Sequence, residues 1–176
     1  YTSGSTGKPK GCMISHSNLF NYIFWSNNFY FKNNEEGNWG IMSSMSFDLS
    51  VTAIFTSLTR GKKLFIGNEK ESMDQLLKEC FNNPEIDTLK LTPTHITLLK
   101  DLDIQNTNVG IVICGGEQLK KSHIKILKDI NQNIKIYNEY GPTETTVGCS
   151  SIEVSMDDEF VSVGFPIANT KIYILD

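Results

Sequence analysis

Apolar residues recur at helical spacing at Leu19, Phe20, Ile23 and Phe24, behind the candidate N-caps Ser15 and Ser17. The next apolar cluster, Trp39 to Met42, is too short for a helix and reads as a buried strand. Val51, Ile54, Phe55 and Leu58 share one helical face, which Gly61 ends at the C-cap, and Lys63 to Ile66 is a strand. Ser72 caps a helix through Met73, Leu76, Leu77 and Phe81, and Thr88 to Leu91 is again a strand. Thr92-Pro93 has the cap-then-proline order of a helix start, which puts Lys90 near the C-terminal end of its strand. The cycle repeats with a strand at Val109 to Ile113, a turn at Gly115-Gly116, a helix around Ile124 to Ile130 and a strand at Ile134 to Tyr137. Thr145, Thr146 and Val147 predict extended chain, and Lys171 to Leu175 a last strand. Strand and helix in alternation is the signature of βα units, so the expected fold class is α/β, a mainly parallel sheet flanked by helices. Open sheets of this kind bind ligands beyond the C-terminal ends of their strands.

Composition narrows the function classes. The 176 residues are 39% apolar and 20% charged, enough to bury a core in one domain. No apolar run approaches the ~20 residues that span a bilayer, so no membrane role is expected. A net charge of -4 argues against a nucleic-acid partner, because affinity for a phosphate backbone comes from cationic surface. Cys12, Cys80, Cys114 and Cys149 form no CxxC pair. Reduced thiols and a cytoplasmic location are the expectation. The chain opens at Tyr1 without an initiator Met and stops at Asp176 after a strand-like run, which reads as a piece truncated at both ends.

The segment Tyr1-Thr-Ser-Gly-Ser-Thr-Gly-Lys-Pro-Lys-Gly11 concentrates glycines, hydroxyls and two lysines. Glycines let a backbone curl tightly, hydroxyls and N–H groups donate, and lysines neutralise charge, all of which suits phosphate oxygens. It is not the usual P-loop, since Lys8 is followed by Pro9 rather than by the Ser or Thr that would meet Mg²⁺.

This loop resembles the phosphate-loop signature of the adenylate-forming enzymes, which include acyl-CoA synthetases, luciferases and the adenylation domains of nonribosomal peptide synthetases. The resemblance runs the length of the chain. Phe47-Asp48-Leu49-Ser50 is similar to the peptide-synthetase F-D-x-S motif, Gly115-Gly116-Glu117 to the adenine-side loop, and Asn138 to Glu144 to the N-x-Y-G-P-T-E motif. Val163 to Ile167 with Asn169 to Asp176 is similar to the stretch that follows. The resemblance implies residues 1–176 of a partial AMP-binding domain, within the large N-terminal subdomain. It implies a reaction joining a carboxylic acid to ATP with release of pyrophosphate, Mg²⁺ as the metal, and transfer to the phosphopantetheine thiol of a downstream peptidyl carrier domain. By the same resemblance Thr2, Ser3, Gly4, Ser5, Thr6, Gly7, Lys8 and Lys10 hold the β- and γ-phosphates. Thr143 meets the α-phosphate, Glu144 is the Mg²⁺ ligand, and Tyr140 stacks on adenine with Gly115, Gly116, Glu117 and Asn138 along its edge. Lys10, Thr143 and Glu144 are the implied catalytic residues. The ribose-binding aspartate and the lysine of a mobile subdomain are implied to lie beyond Asp176.

Asp48 would grip the substrate's α-ammonium in the peptide-synthetase branch; otherwise it is an ordinary helix cap. With Asp48 as anchor, the family's pocket positions fall on Leu49, Thr52, Lys90, Ile113, Gly115, Glu139, Val147 and Gly148. Lys90 only donates and Glu139 only accepts, a pair that matches the oxygen and the NH₂ of a carboxamide. L-asparagine is therefore the expected substrate. The alternative for the couple is a salt bridge beneath an apolar pocket. Two other functions stay open, an acyl-CoA synthetase-type ligase on a non-amino acid and a non-catalytic nucleotide-binding module. His16 matches a family position at a helix start, whereas His95 and His123 read as structural.

Overall fold

The computed structural model describes residues 1–2, 7–32, 36–68 and 70–175. Helix α1 (His16–Tyr30) precedes β1 (Trp39–Ile41), α2 (Leu49–Thr59), β2 (Leu64–Ile66), α3 (Met73–Asn82), β3 (Thr88–Leu91) and α4 (Pro93–Leu98). Then come β4 (Ile111–Cys114), α5 (Lys121–Ile130), β5 (Lys135–Tyr140), β6 (Ser150–Val154) and β7 (Phe165–Pro166). The strands form one sheet in the order β2-β1-β3-β4-β5-β6-β7. Pairing is parallel from β2 through β5 and antiparallel where β6 and β7 join. The mainly parallel α/β sheet expected from the alternation is thus the observed fold. Among the described residues no helix is long and apolar enough to cross a membrane.

Successive strand residues face opposite sides of the sheet, and the two sides carry separate cores. Leu89, Leu91, Val112, Cys114 and Ile136 pack with Leu76, Leu77, Phe81, Ile124 and Leu127 of α3 and α5. On the other side Ile111, Ile113 and Tyr137 pack with Tyr30 of α1 and Ala53 of α2. Burial among apolar neighbours pushes the Cys80 and Cys114 thiols up to about 12, and all four cysteines are free thiols.

Most boundaries read from the sequence hold to within two residues, and the caps hold better. Ser15, Ser72 and Thr92 each accept from the backbone N–H three residues on. His95 and His123 close the same motif in reverse, their Nδ1 atoms accepting from the N–H of Thr92 and Lys120 at 3.2 and 3.1 Å. Their structural role therefore has a local partner. Burial lowers both histidines from the ordinary value, which favours the neutral ring, and the hydrogen bonds make Nδ1 its accepting nitrogen.

Four expectations are corrected. Helix α2 turns Ser50, Thr52, Ala53, Thr56 and Ser57 inward, while Phe55 and Leu58 of the apolar stripe are exposed. Small side chains let the helix approach the sheet closely, and Thr56 and Ser57 satisfy their hydroxyls on the carbonyls of Thr52 and Ala53, both at 2.6 Å. Similarly, α1 buries Tyr22, Ile23, Ser26 and Tyr30 and leaves Phe20 and Phe24 exposed and stacked on each other. Residues 145–147 are not extended: Thr143–Thr145 is a 3₁₀ turn, and Thr146 and Val147 are left-handed at φ 67 and 71. Lys171 to Leu175 finds no partner strand among the described residues, and the antiparallel edge is made instead by β6 and β7.

Candidate active site

The site gathers at the C-terminal edge of β3, β4 and β5. Lys90, Ile113 and Tyr137 are register partners across the three strands, and Glu139, two residues beyond Tyr137, shares their face. β5 runs on to Tyr140, further than the sequence pattern suggests, so Glu139 sits on a strand and not in a loop. Strands β3 and β5 flank β4 and are therefore roughly 10 Å apart. The long Lys90 side chain spans that gap beside Gly115, the position after β4. A Cβ there would stand 3.3 Å from the Glu139 carbonyl oxygen and 3.8 Å from Lys90 Cε.

Lys90 Nζ forms an ion pair with Glu139 Oε1, with the two side chains only 4% and 2% exposed. Lys90 also donates to Thr52 Oγ1 at 2.8 Å. Glu139 Oε2 accepts from the hydroxyls of Tyr22 at 2.8 Å and Tyr30 at 2.6 Å. Tyr22 and Thr52 hydroxyls lie 2.7 Å apart, so with Thr52 as donor to Tyr22 the network closes into a ring. Burial, reinforced by the Glu139 carboxylate, pushes both tyrosines well above their usual range, so each stays a donor. A buried pair with every partner in place is tolerated; one that loses a partner is not.

Gly148 underlies this arrangement. A Cβ at that position would meet Glu139 Cδ at 2.7 Å and Oε1 at 3.0 Å. Gly148→Ala is expected to displace the carboxylate from Lys90 and to lower the thermal stability of the domain. Thermal melting of the variant measures this, and an unchanged melting temperature would refute the placement.

Two adjacent cavities open along this edge. The smaller, about 180 Å³, is lined by Asp48, Leu49, Lys90, Gly115, Glu139, Thr143 and Val147 among others. The larger, about 520 Å³, is bounded by Gly116, Glu117, Asn138, Tyr140, Val161 and Val163. Gly116, Glu139, Gly141 and Pro142 border both. Tyr140 is half-exposed at the larger cavity. Asp48 stands at the N-cap of α2 with helical backbone angles and no side-chain cap bond. Its carboxylate is not used as a cap. The left-handed turn that carries Val147 to the cavity wall is held by the N–H of Thr146 on the Thr143 carbonyl at 3.0 Å and that of Cys149 on the Tyr140 carbonyl at 2.8 Å.

The other sequence-derived positions fall as follows. Ser3, Gly4, Ser5 and Thr6 lie outside the described residues. The ends of their loop are joined by main-chain bonds between Thr2 and Lys10 at 2.9 and 3.0 Å; Gly7, Lys8 and Lys10 are exposed. Glu144 is exposed beside half-buried Thr143. Glu117 accepts from the Thr94 N–H and hydroxyl at 3.2 and 2.7 Å, and Asn138 donates to the Ser162 carbonyl at 2.7 Å. Ile113 is fully buried in the core under the site, off the cavity wall. His16 is exposed at the first turn of α1.

Tyr22, Tyr30 and Ser151, which lies 3.2 Å from the Tyr30 hydroxyl, were not marked by any motif. The available signal was two tyrosines eight residues apart on one helix, whose hydroxyls need partners once buried.

A family model described as AMP-binding enzyme matches residues 1–176. Bacitracin synthase 3 of Bacillus licheniformis is 43% identical over 180 residues, spanning 100% of this chain and 3% of that protein. Tyrocidine synthase 3 of Brevibacillus parabrevis is 39% identical, again over 100% of this chain and 3% of its own length. The chain thus spans a small fraction of these curated relatives. Among solved structures, the Vibrio cholerae adenylation domain AlmE in complex with glycyl-adenosine-5'-phosphate superposes with a TM-score of 0.81 at 28% identity, over 94% of this chain and 32% of that one. An NRPS protein containing adenylation and PCP domains matches the fold with a TM-score of 0.82 at 23% identity, over 99% of this chain and 36% of the other.

Proposed function

The chain belongs to the AMP-binding enzyme family, and from that premise we propose that it supplies the amino-acid pocket and phosphate loop of an adenylation domain for L-asparagine. In the proposed reaction a carboxylate oxygen of the amino acid attacks the α-phosphorus of ATP, the bond to the β-phosphate oxygen breaks, and pyrophosphate leaves. The aminoacyl-adenylate then passes to the phosphopantetheine thiol of a carrier domain, the partner suggested by the joined adenylation and PCP domains of a solved relative.

One observation carries this reading: a small cavity floored by a donor and an acceptor shares a wall with a larger cavity beside an exposed tyrosine ring. In the larger cavity Tyr140 would stack on adenine, with Gly115, Gly116, Glu117 and Asn138 at its edge. Thr2, Ser3, Gly4, Ser5, Thr6, Gly7, Lys8 and Lys10 would hold the outer phosphates, and Thr143 the α-phosphate. Mg²⁺ on substrate phosphates needs only one or two protein carboxylates, and exposed Glu144 fits that need. Bound there, it would offset charge on the phosphates. Asp48, free of any cap bond, would hold the α-ammonium.

The side-chain assignment follows from what Lys90 and Glu139 leave unused. Glu139 Oε2 is taken by two tyrosines, while among the described residues Oε1 is shared only with Lys90. The third Lys90 proton has only the Tyr22 hydroxyl at 3.5 Å. One donor and one acceptor side by side match a carboxamide. Aspartate would set a carboxylate against Glu139, and glutamine carries an extra methylene worth ~1–3 kcal/mol of discrimination. The direct contact of Lys90 with Glu139 favours one other reading, a self-satisfied pair under an apolar side chain. ATP–pyrophosphate exchange with Asn, Asp, Gln and Leu in the full-length protein separates the two. Asparagine is expected to be preferred, and a preference for leucine would exclude it.

A further inference from the structure

We infer that Tyr22 and Tyr30 of α1 are positioning residues for amino-acid selectivity, holding one oxygen of Glu139 so that only the oxygen beside Lys90 is offered to the ligand. This deepens the adenylation reading and rests on it.

A glutamate carboxylate turns about a broad, roughly two-fold terminal torsion. Left free, Glu139 could meet Lys90 with both oxygens and use up the donors the ligand needs. Two phenol donors on Oε2, at 2.8 and 2.6 Å, remove that freedom. Both come from one helix, and both tyrosines are only 1% exposed. Tyr22 is steadied by Thr52 at 2.7 Å, and Thr52 in turn accepts from Lys90. Tyr30 is packed edge-on against Trp25 and Tyr137 with ring centres 5.3 and 5.0 Å apart. Neither side chain reaches the wall of the small cavity. Tyr30 acts on the ligand through Glu139, and Tyr22 through Glu139 and through its contacts with Lys90 and Thr52.

Tyr22→Phe and Tyr30→Phe each remove one hydroxyl and keep the ring. In the full-length protein, pyrophosphate exchange is measured for asparagine and aspartate with the KM for ATP and thermal melting recorded alongside. Each variant is expected to raise the KM for asparagine about tenfold and to reduce the preference for asparagine over aspartate about tenfold, with kcat and the KM for ATP within about twofold. A lower melting temperature with amino-acid KM and selectivity both unmoved would overturn the inference and leave the tyrosines as packing. If one variant does not fold, the other decides, because the two hydroxyls are independent donors. If the wild type activates another amino acid and not asparagine, the substrate assignment fails, and the KM for that amino acid then tests the tyrosines by the same criterion. No exchange with any amino acid would reject both readings.

Discussion

Lys90→Ala is expected to lower the stability of the domain by about 3–5 kcal/mol, because it strands a buried carboxylate. Glu139 would keep its two tyrosine donors, which places the cost near the lower end, but it would lose its only cation among the described residues. Truncating the lysine also opens the space above Gly115. The loss reads as a lower denaturation midpoint at unchanged slope, and under the proposed function asparagine-dependent exchange should disappear with it. Replacing both charges together, as Lys90→Met with Glu139→Gln, should recover much of the stability and none of the asparagine activity. A loss under 1 kcal/mol for Lys90→Ala would mean that Glu139 is not held as the contacts indicate.

Lys10→Ala should reduce kcat for exchange by roughly 10²–10³-fold, the scale on which single charged or oxyanion-type donors contribute, and leave the order of amino-acid preference intact. Lys10 joins Thr2 through its main chain alone, so the base of the loop survives removal of the side chain. The ammonium is exposed and far along the chain from the residues that line the small cavity. A variant that changed its preferred amino acid at undiminished rate would show that residues 1–11 are not the phosphate loop.

What could be read from the sequence divides along physical lines. The strand–helix alternation, the caps at Ser15, Ser72 and Thr92 and the turn at Gly116 are local: a few neighbouring residues satisfy their own backbone groups. The Lys90 and Glu139 couple was also legible as a pair of opposite polarity, because the motifs set the positions.

Other features depend on what a segment packs against. The inward face of α2 is its small hydroxyl side, since distance of approach to the sheet outweighs the apolar stripe. Residues 145–147 have β-branched side chains, yet the return from β5 to β6 forces Thr146 and Val147 into left-handed backbone that such residues disfavour on their own. The run at Lys171 to Leu175 has strand composition without a neighbour to pair with among the described residues.

The sequence by itself determined the α/β alternation, the Gly-, hydroxyl- and lysine-rich composition of residues 1–11 and the opposite charges of Lys90 and Glu139, because each rests on residue chemistry or on contacts within a few positions. Only the tertiary structure decided that Lys90 crosses Gly115 to reach Glu139, and that two tyrosines more than a hundred residues away in the chain take the remaining carboxylate oxygen. Strand register and the seating of α1 on the sheet create those distances, and neither is encoded within any one segment.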